Sequence, residues 1–297
     1  MAGLAAAGFE ILGYDTLAPV FSVTHEAAAM GCAVDWGRKD AMPTVSAPRY
    51  ESAGQIEIPS NFLRHSASTV VLEALRRLKR QYPHVALLGK VFGPWTLAYH
   101  LFGVERFLML TIDDPLQVRE IIRRLTPLPI LFAQAQFEAG ADAITLGDHA
   151  SADMISEKMY KEFLYPAHCI LAREIKGPVI LHTCGQTADR LADFAHTGFA
   201  CFHFDSVVTP KRAREIVDAQ PREASTRRRK IALMGSINNP EVLLQGTPAG
   251  VREAVAECLR QQIEIIAPEC AVPLATPTQN LKALSQAVRD ATSSARV

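Results

Sequence analysis

Val179-Ile180-Leu181-His182-Thr183-Cys184-Gly185 is the stretch on which both the fold and the chemistry turn. Its three aliphatic residues read as a buried strand, and the polar residues and glycine mark where that strand stops. Side chains along a strand alternate faces with period two, so His182 and Cys184 point to the same side at the carboxyl end. An imidazole and a thiolate placed this way hold one soft or borderline metal ion from one direction. The rest of the chain is read for what else arrives at that strand end.

The chain has 297 residues, 48% hydrophobic and 21% charged, an ordinary soluble globular composition. One barrel of alternating strands and helices needs about 250 residues, so a single domain over 1–297 accounts for the length. Lys plus Arg and Asp plus Glu both number 31, which leaves no global charge to steer nucleic acid or an anionic membrane. No apolar run approaches the roughly 20 residues of a membrane span. The apolar start, Met1 to Phe9, lacks the basic region of a signal peptide. Six scattered cysteines (Cys32, Cys169, Cys184, Cys201, Cys258, Cys270) then read as reduced thiols of a cytoplasmic protein, and as metal-ligand candidates.

A short apolar strand followed by an amphipathic helix recurs along the chain. Expected strands run over Phe9–Tyr14, Val85–Val91, Ala141–Gly147, Val179–Leu181, Phe199–Phe204, Ile231–Met234 and Ile263–Ile266. Helical patterns lie between them. Serines lead the one over Ser66–Gln81 and are suited to capping it. Pro127 and Pro129 interrupt a long one over Asp114–Ala139. Ser156–Lys176 and Gln186–His196 follow, and Thr247-Pro248 opens a helix to Gln262. Strands alternating with helices give a parallel sheet with right-handed crossovers. Seven such units imply an α/β fold of the (β/α)8 TIM-barrel type with its first strand unit lacking. Residues 16–56 form a lid-like excursion with a helix near His25–Met30 and two extended pieces at Ala33–Trp36 and Pro43–Ala47. Asp15, Asp148, His182, Cys184, Asp205 and Cys270 stand at expected strand ends, where such barrels build their sites.

His182-Thr183-Cys184-Gly185, followed by Pro268-Glu269-Cys270-Ala271-Val272-Pro273 and Thr276-Pro277, resembles the zinc signature of the methylcobamide:coenzyme M methyltransferases, a family of barrels in the uroporphyrinogen decarboxylase superfamily. Gly93-Pro94-Trp95-Thr96, Gly147-Asp148, Met234-Gly235-Ser236-Ile237 and Met30-Gly31-Cys32 resemble further stretches of the same family. The resemblance covers nearly the whole chain. It departs in beginning about one unit late, in Pro127 and Pro129, and in Glu269, where many members have glycine.

The resemblance implies Zn2+ held by His182, Cys184 and Cys270, with a fourth position open as in catalytic zinc sites. It implies methyl transfer from a methylated corrinoid protein, whose methylcobamide is the donor, to a small thiol, most of all coenzyme M. Asp205 then stands as a fourth ligand in the absence of substrate, as a carboxylate orienting His182, or as a cap for the following turn. Asp148 is a second candidate catalytic carboxylate, against a role in capping its own turn. Ser236 and Asn238 lie where they would touch a polar tail on the thiol. His203 shares a face with Cys201 and Asp205 and reads as a lumenal hydrogen-bonder. Arg227 to Lys230 read as a solvated loop, and Cys169 and Cys258 as helix interior. Rival functions are a relative using a halomethane, a methoxyl compound or tetrahydrofolate, uroporphyrinogen decarboxylase, and a non-catalytic zinc- or corrinoid-binding accessory protein. The resemblance is compatible with a homo-oligomer.

Overall fold

Seven parallel strands form one sheet in the order β1 (Thr16–Leu17), β4 (Ala86–Phe92), β5 (Ala143–Gly147), β6 (Val179–Thr183), β7 (Cys201–Phe204), β8 (Ala232–Ile237) and β9 (Ile265–Pro268). Val34–Asp35 (β2) and Thr44–Val45 (β3) pair as a separate antiparallel hairpin. These elements come from a computed structural model describing residues 1–20, 22–38, 41–220 and 230–294. The sheet curls into part of a barrel, and among the described residues β1 and β9 do not pair. Arg227, Arg228 and Arg229 of the basic run lie outside the described residues. Lys230 pairs with Asp218 at 2.7 Å.

Alternation decides what each strand residue faces. Val91, Ile144, Leu146, Leu181, Phe202 and Leu233 point outward to the helices and are fully buried. Each contributes about 1.5–3 kcal/mol on leaving water, so this outer layer carries the stability. Lys90, Thr145, His182 and Met234 point inward and remain partly accessible. The lumen is therefore the face left for chemistry.

Six of the seven expected strands are present near their expected places. The first differs. Residues Ala2–Glu10 are helical, and Gly13, at φ +73, turns the chain before β1. The Ala-rich start favours helix, and its apolar content imitates a strand only when local propensity is ignored. The C-terminal helix Thr278–Ser294 packs along Pro248–Arg260 and reaches back to this turn. Ser285 Oγ donates to the Leu12 carbonyl (2.5 Å), and Arg289 Nη1 donates to the Gly13 carbonyl (2.6 Å). A helix, not a strand ladder, bridges the two edges of the sheet.

Pro115–Leu125 and Pro127–Glu138 are separate helices meeting at Thr126, as the two prolines require. Thr247 caps Pro248–Arg260 by accepting from the Gly250 N–H. The serines do not cap Ser66–Gln81. His65 Nδ1 accepts from the Ala67 N–H instead. The excursion begins only after Leu17 and carries the helix His25–Ala29 and the β2–β3 hairpin. Among the described residues, no helix is long and apolar enough to cross a membrane.

Beyond Leu17, where β1 stops, side chains take over the backbone of β4. Gln136 accepts from the Lys90 N–H (2.9 Å) and donates to the Lys90 carbonyl (2.8 Å). Glu26, from the excursion helix, accepts from the Phe92 N–H (2.9 Å). Glu26 is 2% exposed, and burial pushes its carboxyl up to about 7. The protonated form is thus favoured in the folded state. That contribution is fully present below the ordinary carboxyl pKa and lost as pH rises through about 7. We predict that Glu26→Gln flattens this loss. In urea titrations at pH 5 and pH 8, the variant's midpoint should gain on wild type at the higher pH, and an equal offset at both would refute the assignment.

Candidate metal centre

His182 is the last but one residue of β6, Cys184 lies just beyond the strand, and Cys270 follows β9 by two residues. Two strands, β7 and β8, lie between β6 and β9 both along the chain and in the sheet. The curl brings their ends together. His182 Nε2 lies 3.0 Å from Cys184 Sγ, and Cys184 Sγ lies 2.9 Å from Cys270 Sγ. All three ligand atoms fall within 4.8 Å of one another.

The imidazole is aimed by the neighbouring strand. His182 Nδ1 lies 3.2 Å from the His203 carbonyl. A carbonyl only accepts, so Nδ1 is the donor and Nε2 presents its lone pair to the two sulfurs. The His203 ring lies against that of His182, tilted by 33°, with centroids 4.3 Å apart. Its own Nε2 donates to the Pro268 carbonyl at 2.8 Å, two residues before Cys270. One residue thereby braces both halves of the site. Burial, with His182 adding to it, holds the His203 pKa well below its ordinary value, so the ring stays neutral.

The two thiols share a proton. The hydrogen bond with Cys270 and then burial push the Cys184 pKa up. The same bond, with His182 adding to it, draws Cys270 below the ordinary thiol range. One neutral imidazole with a free lone pair, the Cys270 thiol drawn toward its thiolate and the Cys184 sulfur against it fit a borderline metal such as zinc. Three ligands from the protein leave a position for a fourth.

The remaining candidates are distributed differently. Asp205 Oδ2 accepts from the Gly185 N–H (2.9 Å) and Oδ1 from the Val207 N–H (3.1 Å). It grips the turn after Cys184 and does not orient His182, whose partner is the His203 carbonyl. Asp148 does not reach the lumen. Gly147 occupies the inward position, so Asp148 turns outward and is 1% exposed. Its oxygens meet the Thr96 N–H (2.7 Å) and His168 Nε2 (3.2 Å), and His168 Nδ1 meets the Tyr160 hydroxyl. Gly93 leaves this carboxylate room, since a Cβ there would come within 2.1 Å of it. Asn238 is held in the loops: Oδ1 accepts from the Glu241 N–H, and Nδ2 donates to Ser206 Oγ. Ser236 Oγ is buried without a partner.

Glu269, in the bend after β9, is 6% exposed and is engaged by the neighbouring loops. Its carboxylate accepts from the Asn239 N–H (2.7 Å) and the Ser206 N–H (3.2 Å). It ties the loops after β7 and β8 to the end of β9. All six cysteines are free.

The family model for uroporphyrinogen decarboxylase matches residues 1–291. The chain belongs to the uroporphyrinogen decarboxylase family. Within it, a methylated-thiol–coenzyme M methyltransferase of Methanosarcina mazei is 31% identical over 98% of this chain and 76% of that protein. A methylcobamide:CoM methyltransferase of Methanosarcina barkeri is 29% identical over 96% of this chain and 82% of that protein. A solved methyltransferase from Methanosarcina mazei superposes with a TM-score of 0.91 at 29% identity, covering 98% of this chain and 85% of that one. The barrel of this family is therefore the fold of the chain.

Sequence reasoning missed Lys90, Glu26 and the double role of His203. A lysine inside an otherwise apolar strand was the available signal for the first. For Asp148, the hydrogen bonds to Thr96 and His168 yield a prediction. Asp148→Ala leaves the Thr96 N–H and His168 unpaired in the interior and should cost about 1.5–3 kcal/mol in urea unfolding, while zinc content per folded chain stays unchanged. Loss of metal with full stability would place Asp148 in the site after all.

Proposed function

We propose that this chain is a zinc-dependent methyltransferase that moves a methyl group from a methylated corrinoid, presented by a partner protein, to a small thiol such as coenzyme M. One observation carries the reading: His182 Nε2, Cys184 Sγ and Cys270 Sγ converge within 4.8 Å at the mouth of the lumen. Three-ligand sites with an open position are catalytic in character, and structural zinc sites are closed by a fourth protein ligand. Relatives similar over nearly the whole chain carry names of this activity.

Zinc bound at these residues would supply a thiol acceptor held as its thiolate at neutral pH. The chain's residues do the rest. The His203 carbonyl fixes the His182 tautomer. The His203 ring and the Glu269 carboxylate hold the end of β9, and so Cys270, against β7 and β8. Asp205 fixes the turn that follows Cys184. The thiol proton leaves to solvent. The thiol sulfur would take the methyl group in a new C–S bond, and the corrinoid, a substrate brought by the partner protein, would leave with the electron pair of its Co–C bond.

We predict about one zinc per purified chain. Cys184→Ser or Cys270→Ser should lower zinc content at least tenfold, since removing one of three ligands dismantles the site. His203→Phe, which keeps the ring but removes its donor to Pro268, should weaken zinc binding by about tenfold to a hundredfold. With methylcobalamin as donor, Co(I) should appear on adding coenzyme M and not on adding tetrahydrofolate. A chain that binds no zinc would sink this reading. One that holds zinc but methylates no acceptor would support the accessory role instead.

A further inference from the structure

The seven strands of the sheet contain a single Lys, Arg, Asp or Glu: Lys90, in β4. Its neighbours Gly89 and Val91 are buried against the helix side, so alternation sends the Lys90 stem into the lumen. Gln136 clamps its backbone at both N–H and carbonyl, which fixes that direction. On the neighbouring strand, a Cβ at Gly147 would come to 3.2 Å from Phe92 Cε1 and 4.0 Å from Lys90 Cε, so the glycine leaves room for both side chains. The ammonium sits 5.0 Å from the Phe92 ring centroid.

Gly147, which the Lys90 stem approaches, pairs with His182 across β5 and β6, and this places the ammonium on the side of the metal ligands. Among the described residues, no carboxylate lies within 4.0 Å of its Nζ. Glu26 directs Oε1 to the Phe92 N–H instead. An ammonium set deep in a cavity without a counter-ion is costly, and an anion entering with the substrate would offset that cost. Lysine suits such a role as a compact charge with three donors on a flexible stem, which adapts to either a sulfonate or a carboxylate.

We propose that Lys90 determines acceptor specificity by holding the anionic end, sulfonate or carboxylate, of the thiol whose sulfur lies at His182, Cys184 and Cys270. This rests on the thiol methyltransferase reading above. A hydrogen bond to a charged partner, made away from water, corresponds to about tenfold to a hundredfold in affinity.

The test is isothermal titration of the zinc-loaded protein with 2-mercaptoethanesulfonate, 3-mercaptopropionate and neutral 2-mercaptoethanol, beside KM and kcat for methyl transfer from methylcobalamin. Wild type should bind the two anionic thiols more tightly than the neutral one, and the better of the two names the acid group. Lys90→Met should shrink that preference about tenfold to a hundredfold, with the change in KM and not kcat. Lys90→Arg should retain most of it. An equal loss for all three thiols, loss of zinc in Lys90→Met, or no preference in wild type would overturn the proposal. Preference-free binding with methyl transfer intact overturns this proposal alone. Zinc without any thiol binding overturns it together with the function on which it rests.

Discussion

The two-residue alternation of a parallel sheet covered by helices on one side governs everything else in this molecule. It commits Val91, Ile144, Leu146, Leu181, Phe202 and Leu233 to the helix layer, where burial is complete. It commits Lys90, His182 and His203 to the lumen. A shift of one residue in any strand would exchange the two sets, burying charge against helices and exposing aliphatic surface to the cavity. The register of the strands and the composition of the site are therefore the same constraint seen from two sides.

The site depends on contacts between adjacent strands more than on the ligands themselves. His203 exemplifies this: its carbonyl holds His182 and its ring holds Pro268, so β6 and β9 are referenced to one residue in β7. Glu269 and Asp205 do the same for the loops, each carboxylate accepting from backbone N–H groups of other strand ends. These interactions convert a flexible set of loop residues into a fixed donor set, which is the condition for binding a metal with one position left open.

The part-barrel has an unusual way of treating its edges. Where β1 ends at Leu17, the amide of Gln136 and the carboxylate of Glu26 satisfy the backbone of β4. Across the gap to β9, the C-terminal helix grips the Leu12–Gly13 turn. Exposed strand edges recruit other strands, and these side-chain and helix contacts occupy part of that edge.

The sequence by itself determined the strand periodicity, six of the seven strand positions, the break at Pro127, and the shared direction of His182 and Cys184. These depend on propensity and on period two, which are local. It misplaced the first strand, because an Ala-rich apolar segment satisfies strand and helix patterns alike until packing chooses. It left Asp148 open between catalysis and a cap, and the fold buries this carboxylate at the strand end on the Thr96 N–H; one residue of register separates a ligand from an anchor. The tertiary structure alone decided that Cys270, 86 residues from Cys184, lies 2.9 Å from it, and that the Lys90 stem approaches Gly147, the strand partner of His182. Only the curl of the sheet sets those distances, and curl is a property of all the strands together and of no single stretch.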